Sequence, residues 1–252
     1  MARLRGRVAL VTGAGRGFGR AIALAFAAEG ADVAVNYGGS AEAAAEVVKL
    51  IEASGQRAGA VQADVAQPAA VQALVAKVLE NFGRLDILVN NAGIMVRGPF
   101  ATTSVADYAR MFEVNVTGTM LCSRAALPAM IEGGYGRIIN LSSQVAQRGV
   151  GGAGFTAYAT TKGAVEAFTR ALAHEVGSHG VTVNAIAPGG IETDMSRGVM
   201  TPEYRERRRA EVPLRRFGRV EDVAYCAVVL AAEDAGYLTG QILHPSGGWV
   251  MG

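Results

Sequence analysis

Seven short runs of β-branched and other apolar residues, separated by longer Ala-rich stretches with helical patterning, confine this chain to one class of architecture. Val8–Val11, Val33–Val35, Ala60–Gln62, Ile87–Asn90, Ile138–Leu141, Val181–Ile186 and Ile242–His244 read as strands. Helices are predicted over Arg20–Glu29, Glu42–Ala53, Ala69–Phe82, Val105–Met130, Ala157–Val176, Thr201–Glu211 and Val220–Ala232. Strands that are apolar throughout, rather than alternating, are buried on both faces. When helices separate them, the arrangement that satisfies both facts is a parallel sheet covered on each side. No Pro/Ser-rich linker, composition break or internal repeat divides residues 1–252, so one doubly wound α/β domain with a seven-stranded parallel sheet is expected.

Half of the 252 residues are hydrophobic, enough for the core that such a sheet needs. A net charge of +2 and the lack of a basic tail argue against a nucleic-acid partner. The densest basic run, Arg205, Arg207, Arg208, Arg209, Arg215 and Arg216, is interleaved with Glu203, Glu206 and Glu211. A solvated helix face is its first reading, an anionic-substrate role its second. Cys122 and Cys226 lie in apolar surroundings and read as free thiols rather than a disulfide or metal site. Val8–Val11, after the arginines of the first seven residues, is too brief for a signal peptide, and no stretch could span a bilayer. A soluble, cytoplasmic protein with no membrane partner is the expectation.

Two local patterns carry chemistry. Gly13, Gly17 and Gly19 crowd the junction of the first strand and first helix, in Thr12-Gly13-Ala14-Gly15-Arg16-Gly17-Phe18-Gly19. Glycines there allow a tight turn and let backbone amides approach a pyrophosphate, which the helix N-terminus also favours. An ordinary Gly-rich turn is the alternative. Further on, Tyr158 and Lys162 are four residues apart on a predicted helix, so the ammonium can lie beside the phenol. A phenol titrates near ~10, and a neighbouring cation lowers that value, as acid–base catalysis requires.

These motifs, in this order, resemble the classical short-chain dehydrogenases/reductases. Gly13, Gly17 and Gly19 match the family's TGxxxGxG loop, and Asn90-Asn91-Ala92-Gly93 its NNAG motif. Asn115, Ser143, Tyr158 and Lys162 match its Asn-Ser-Tyr-Lys tetrad, and Pro188-Gly189 through Thr193 its PGxxxT turn. The resemblance implies a Rossmann fold and a hydride-transferring oxidoreductase. In that scheme Tyr158 is the acid/base and Ser143 holds the carbonyl oxygen. Lys162 lowers the Tyr158 pKa and binds the nicotinamide ribose, while Asn115 holds a relay water. Singly, Asn115 also reads as a helix-interior polar residue and Ser143 as a turn hydroxyl. Gly13, Gly17, Phe18, Gly19, Asp64, Val65, Asn90, Gly93, Pro188, Gly189, Ile191 and Thr193 are the implied cofactor contacts, joined by Tyr158 and Lys162. Asp64 reads alternatively as a turn cap.

The second strand ends in Asn36-Tyr37-Gly38-Gly39-Ser40, without the acid that binds a free ribose 2′-hydroxyl. Arg16 stands where relatives that prefer NADP carry a base, with Asn36 and Ser40 as further donors. NADP(H) is therefore expected over NAD(H), with a surface arginine as the alternative reading of Arg16. Within the family the chain is closest to the 3-oxoacyl-[acyl carrier protein] reductase group. It departs from them at Glu132-Gly133-Gly134-Tyr135 and at His179, where they carry bases that dock the acidic carrier, and at Ile94-Met95-Val96-Arg97. The broader expectation is reduction of a small ketone or 3-oxoacyl-type carbonyl, with an acyl thioester as one candidate. The alternatives are the carrier reductase proper, an NAD-linked sugar or polyol dehydrogenase, and a non-catalytic dinucleotide sensor. The resemblance also implies a homotetramer, for which the face of Ala164, Ala167, Phe168 and Ala171 could serve, an internal core face being the alternative reading of the same pattern.

Overall fold

The apolar runs become seven strands in the computed structural model, which describes residues 2–148, 154–192 and 201–251. They are β1 (Val8–Val11), β2 (Asp32–Tyr37), β3 (Ala58–Gln62), β4 (Ile87–Asn90), β5 (Gly136–Leu141), β6 (Val181–Ile186) and β7 (Ile242–Leu243). All pairs are parallel, in the order β3-β2-β1-β4-β5-β6-β7. Every residue of β1, β4, β5 and β6 is buried, which is why these strands show no polar alternation. The order reverses between β1 and β4. The chain thus leaves these two neighbours in opposite directions and opens a crevice at their C-terminal ends, where doubly wound sheets bind ligands.

The described helices are α1 (Gly17–Ala28), α2 (Ala41–Ala53), α3 (Pro68–Phe82), α4 (Val105–Phe112), α5 (Gly118–Glu132), α6 (Val145–Arg148), α7 (Thr156–Val176), α8 (Pro202–Glu211) and α9 (Val220–Ala231). Two apolar layers sandwich the sheet. On one face Val11, Val33, Val89 and Ile139 pack against Ile22 and Phe26 of α1, Val47 and Ile51 of α2, and Val223 and Ala227 of α9. On the other, Leu10, Leu88, Ile138 and Val183 meet Leu74 and Val78 of α3, Cys122 and Met130 of α5, and Leu172 and Val176 of α7. At about 25 cal/mol per Å² of apolar surface, these two layers are the main driving force for folding.

The structure departs from the predicted elements in two informative places. β5 begins two residues early, at Gly136 and Arg137, whose types hide a buried strand. Arg137 is 4% exposed, donates to the carbonyls of Gly136 and Ala232, and lies 4.1 Å from the centre of the Tyr135 ring. The helix predicted over 105–130 is interrupted by a π-helical turn, Glu113–Thr117, which contains Asn115. Among the described residues no helix is long and apolar enough to cross a membrane. Cys122 and Cys226 are both free, and burial pushes the Cys122 thiol up to about 12, leaving it unreactive.

Candidate active site

The glycine loop follows β1 at the mouth of the crevice. Gly17 has φ +55°, and no atom lies within 4 Å of where its side chain would be, so the loop presents bare backbone to open space. Gly19 is excluded from any larger residue: an added Cβ would lie 2.5 Å from both the Gly13 carbonyl oxygen and Asn91 Nδ2. α1 starts here with no side-chain cap and no acid in its first turn, so its leading N–H groups remain free for an anion. Phe18, the second residue of α1, is half-buried against the α1 face of the core. This cradle fits a dinucleotide pyrophosphate.

Residues whose importance the sequence reading missed brace the loop. Asn91 Nδ2 donates to the carbonyls of Thr12 (2.8 Å) and Gly13 (3.1 Å), while the amides of Asn91 and Ala92 donate to Thr12 Oγ1. Asn36 belongs to the same scaffold, which corrects its expected role toward the ribose phosphate. It is 1% exposed, its Oδ1 accepts from the Gly13 amide, and its Nδ2 protons go to the carbonyls of Val61 and Ala63. No donor is left for a ligand. Asn90 differs from expectation for the same reason. It is buried, and its Nδ2 donates inward to Ser123 Oγ (3.0 Å) and Asn140 Oδ1 (2.8 Å).

Arg16, by contrast, is exposed at the start of α1 and makes no ion pair among the described residues. Ser40 caps α2, its hydroxyl oxygen accepting from the Ala43 amide, which leaves the hydroxyl proton free. Asp64 accepts from the Ala66 amide (3.0 Å) and pairs with Arg110 (2.7 Å). Burial pushes its carboxyl up, but the amide and the guanidinium together outweigh burial and hold it below its usual value. Val65 is buried beneath it, and Gly93 is exposed at the crevice.

Ser143, Tyr158 and Lys162 come together where β5 and α7 meet. Ser143 is half-buried, with its hydroxyl beside the half-buried Tyr158. Its neighbour Ser142 points the other way, donating to the buried Glu166 Oε1 (2.8 Å), so the second serine of the pair is the one facing the site. Lys162 is 5% exposed, its Nζ 5.6 Å from the Tyr158 ring centre and 2.6 Å from the Leu141 carbonyl oxygen.

Burial, rather than Lys162, dominates the phenol in this geometry. Burial pushes Tyr158 up to about 12, against a weaker downward pull from the Ser143 hydroxyl, and burial pushes Lys162 down to about 8. The ammonium is aimed at a backbone carbonyl rather than at the phenol. The site therefore holds a protonated phenol at neutral pH, which is a proton donor.

Asn115 sits on the far side of Lys162. Its Nδ2 donates to the Ile94 carbonyl and Thr161 Oγ1, and its Oδ1 accepts from the Ile94 amide. One lone pair of Oδ1 remains. A Cβ added at Gly93 would lie 3.2 Å from that oxygen and 3.7 Å from Lys162 Nζ, so the glycine keeps open the space between them. Pro188 and Gly189 are braced through Gln144 and Pro245, and Ile191 is buried in a bridge with Gly218. Thr193, the last of the expected contacts, lies outside the described residues. Among the described residues no cluster of side chains could hold a metal ion.

The chain is similar to known proteins over nearly its whole length. Residues 13–250 match the family described as enoyl-(acyl carrier protein) reductase. The 3-oxoacyl-[acyl-carrier-protein] reductase FabG of Staphylococcus aureus is 43% identical over 96% of this chain and 98% of its own. The 3-oxoacyl-[acyl-carrier-protein] reductase of Synechocystis is 42% identical over the whole of both. A short-chain dehydrogenase from Burkholderia cenocepacia, solved with NADP, superposes with a TM-score of 0.92 at 41% identity, covering 98% of this chain and 99% of that one. A dinucleotide cradle beside a Ser143–Tyr158–Lys162 cluster, in a chain related over its full length to these proteins, places it in the short-chain dehydrogenase/reductase family of oxidoreductases.

Proposed function

We propose that the protein is an NADP(H)-dependent reductase of a small ketone or 3-oxoacyl-type carbonyl, acting in reverse as a secondary-alcohol dehydrogenase. The observation that carries this reading is the convergence of Ser143 and Tyr158 beside the buried Lys162. A bound nicotinamide supplies the hydride. Ser143 turns its hydroxyl to the substrate oxygen and stabilises the negative charge that develops there. Tyr158 gives its phenolic proton to that oxygen, so the carbonyl leaves as an alcohol. Lys162 keeps a positive charge near the transient phenolate, and a water between its Nζ and Asn115 Oδ1 returns the proton from solvent.

NADP(H) rather than NAD(H) is supported by the unpaired Arg16, by Ser40, and by the absence of an acid at the end of β2. The NADP complex of the Burkholderia relative points the same way. The two carrier-protein reductases among the relatives favour a 3-oxoacyl thioester as the second reading of the substrate. Glu132 and His179, in place of docking bases, weaken steering toward an acidic carrier. A homotetramer is supported by Ala167 and Ala171, exposed on α7, and by the exposed apolar Tyr237, Leu238 and Met251.

The test is oxidation of NADPH and NADH with acetoacetyl thioesters and small ketones, with Tyr158→Phe in parallel. NADPH-linked turnover that disappears in the variant supports the reading. Turnover that survives it, or equal use of NADH, counts against the mechanism or the cofactor respectively. Light scattering on the eluting protein reads the oligomer.

A further inference from the structure

The loop 94–100 leaves the crevice at Ile94, which bonds Asn115 through both its amide and its carbonyl, and its one charged residue is Arg97. Most arginines of the described structure answer a carboxylate. Arg3 pairs with Glu29, Arg57 with Asp32, Arg110 with Asp64, and Arg205 with Glu192. Arg97 is exposed and pairs with none among the described residues. Its guanidinium is instead laid over the ring of Phe155, 4.7 Å from the centroid. Phe155 directly precedes α7 and stands three residues before Tyr158.

The placement is built rather than accidental. The Gly98 amide donates to the Gly154 carbonyl (3.3 Å), fastening the loop to the start of the catalytic helix. Gly154 has φ +111°, and a Cβ added there would lie 2.8 Å from Gly98 N and 3.0 Å from Arg97 Cγ. The contact thus depends on glycine at 154 and fixes the stem of Arg97 against it. Stacking on an aromatic face holds a guanidinium while leaving its N–H edge free to donate.

We propose that Arg97 is a specificity-determining residue that receives a carboxylate of the substrate, so that the site reduces short oxo acids to hydroxy acids. This rests on the reading of Ser143, Tyr158 and Lys162 given above. Residues three apart on a helix have Cβ atoms about 5–6 Å from each other. The guanidinium on the Phe155 ring therefore stands beside the helical turn that carries Tyr158. A carboxylate a few bonds from the reacting carbonyl fits that placement. The phosphate of a pantetheine thioester lies far along its arm and does not.

In the test, NADPH-linked kcat and KM are measured for acetoacetate and levulinate and for their methyl esters. Wild type is compared with Arg97→Met and Arg97→Lys, both of which keep an aliphatic stem on Gly154. A charged hydrogen bond of ordinary strength corresponds to about 10–100-fold. Wild type is expected to prefer each acid to its ester by about tenfold or more. Arg97→Met should raise KM for the acids by that factor while leaving kcat and the esters unchanged, and Arg97→Lys should restore part of the loss.

Equal use of acid and ester by wild type, or equal loss on both in Arg97→Met, overturns the proposal. Turnover of the esters that needs Tyr158 leaves the reading of the site standing in either case. If wild type reduces neither acids nor esters, that reading fails. Calorimetric binding of 3-hydroxybutyrate to the NADP-loaded protein then decides the role of Arg97. Binding about tenfold weaker in Arg97→Met supports it, and equal or absent binding overturns it.

Discussion

Replacing Lys162 by methionine should abolish turnover and yet make the protein more stable at neutral pH. Lys162 is 5% exposed, and burial lowers its pKa from 10.5 to about 8. The folded protein thus binds this proton more weakly than the unfolded chain does. The resulting penalty is fully present below the folded value of about 8 and disappears as pH rises toward 10.5. At about 1.4 kcal/mol per pH unit, it amounts to roughly 3 kcal/mol at pH 7 and less than about 1 kcal/mol at pH 10. The variant also loses the bond from Nζ to the Leu141 carbonyl, a cost of about 1.5 kcal/mol for a charged donor. The balance is a gain of about 1–2 kcal/mol at pH 7, or roughly 2–8 °C in Tm for a domain of this size. By pH 10 the gain should have vanished or changed sign. Urea denaturation of both proteins at pH 7 and pH 9.5 reads the difference. Tyr158 titrates in both and cancels from the comparison. A variant less stable at pH 7, or a difference that does not shrink with pH, would refute the claim that the lysine is held against its own desolvation. Replacement of other buried ions by apolar residues follows the same logic.

Three further outcomes follow from the geometry. Arg16→Ala should weaken NADPH binding about 10–100-fold and leave NADH unchanged, as read by fluorescence titration with each cofactor. Gly19→Ala should cost about 1–3 kcal/mol in urea denaturation despite alanine's better helix propensity, because its Cβ would stand 2.5 Å from the Gly13 carbonyl oxygen. In a pH profile of kcat/KM, reduction should hold up to about pH 8 and fall above it as Lys162 loses its proton. The Tyr158 phenol, at about 12, stays protonated across that range. A rate that rises through pH 8–9 would point to a phenolate as the working form.

The sheet was legible because its strands are buried on both faces, which writes them as unbroken apolar runs. Where a buried strand used other residues the pattern failed. Gly136 and Arg137 extend β5 because an added Cβ at 136 would meet Met130 at 2.9 Å and because the guanidinium lies over Tyr135. The π turn at Asn115 left no trace in periodicity, since it depends on a side chain bonding to Ile94 across the crevice. Motifs located the site but not the direction of each side chain. Asn36 is spent bracing the cradle and Asn90 faces away from it, whereas Asn91, passed over in the same motif, ties the loop down. A residue's type and position indicate its neighbourhood, but competition among nearby carbonyls decides where a buried amide points. The Tyr158 and Lys162 titrations show the same limit. Their helical spacing was plain, but burial dominates both, raising the phenol and lowering the ammonium.

The central claim is that the Tyr158 phenol supplies the proton for carbonyl reduction. Single-turnover oxidation of bound NADPH by methyl acetoacetate, followed by stopped flow in wild type and Tyr158→Phe, tests it directly. Phenylalanine keeps the ring against Lys162 and removes only the hydroxyl. The account predicts a loss of about 10²–10⁴ in the rate of that turnover, with NADPH affinity unchanged. A variant that transfers hydride within a few-fold of the wild-type rate would contradict it.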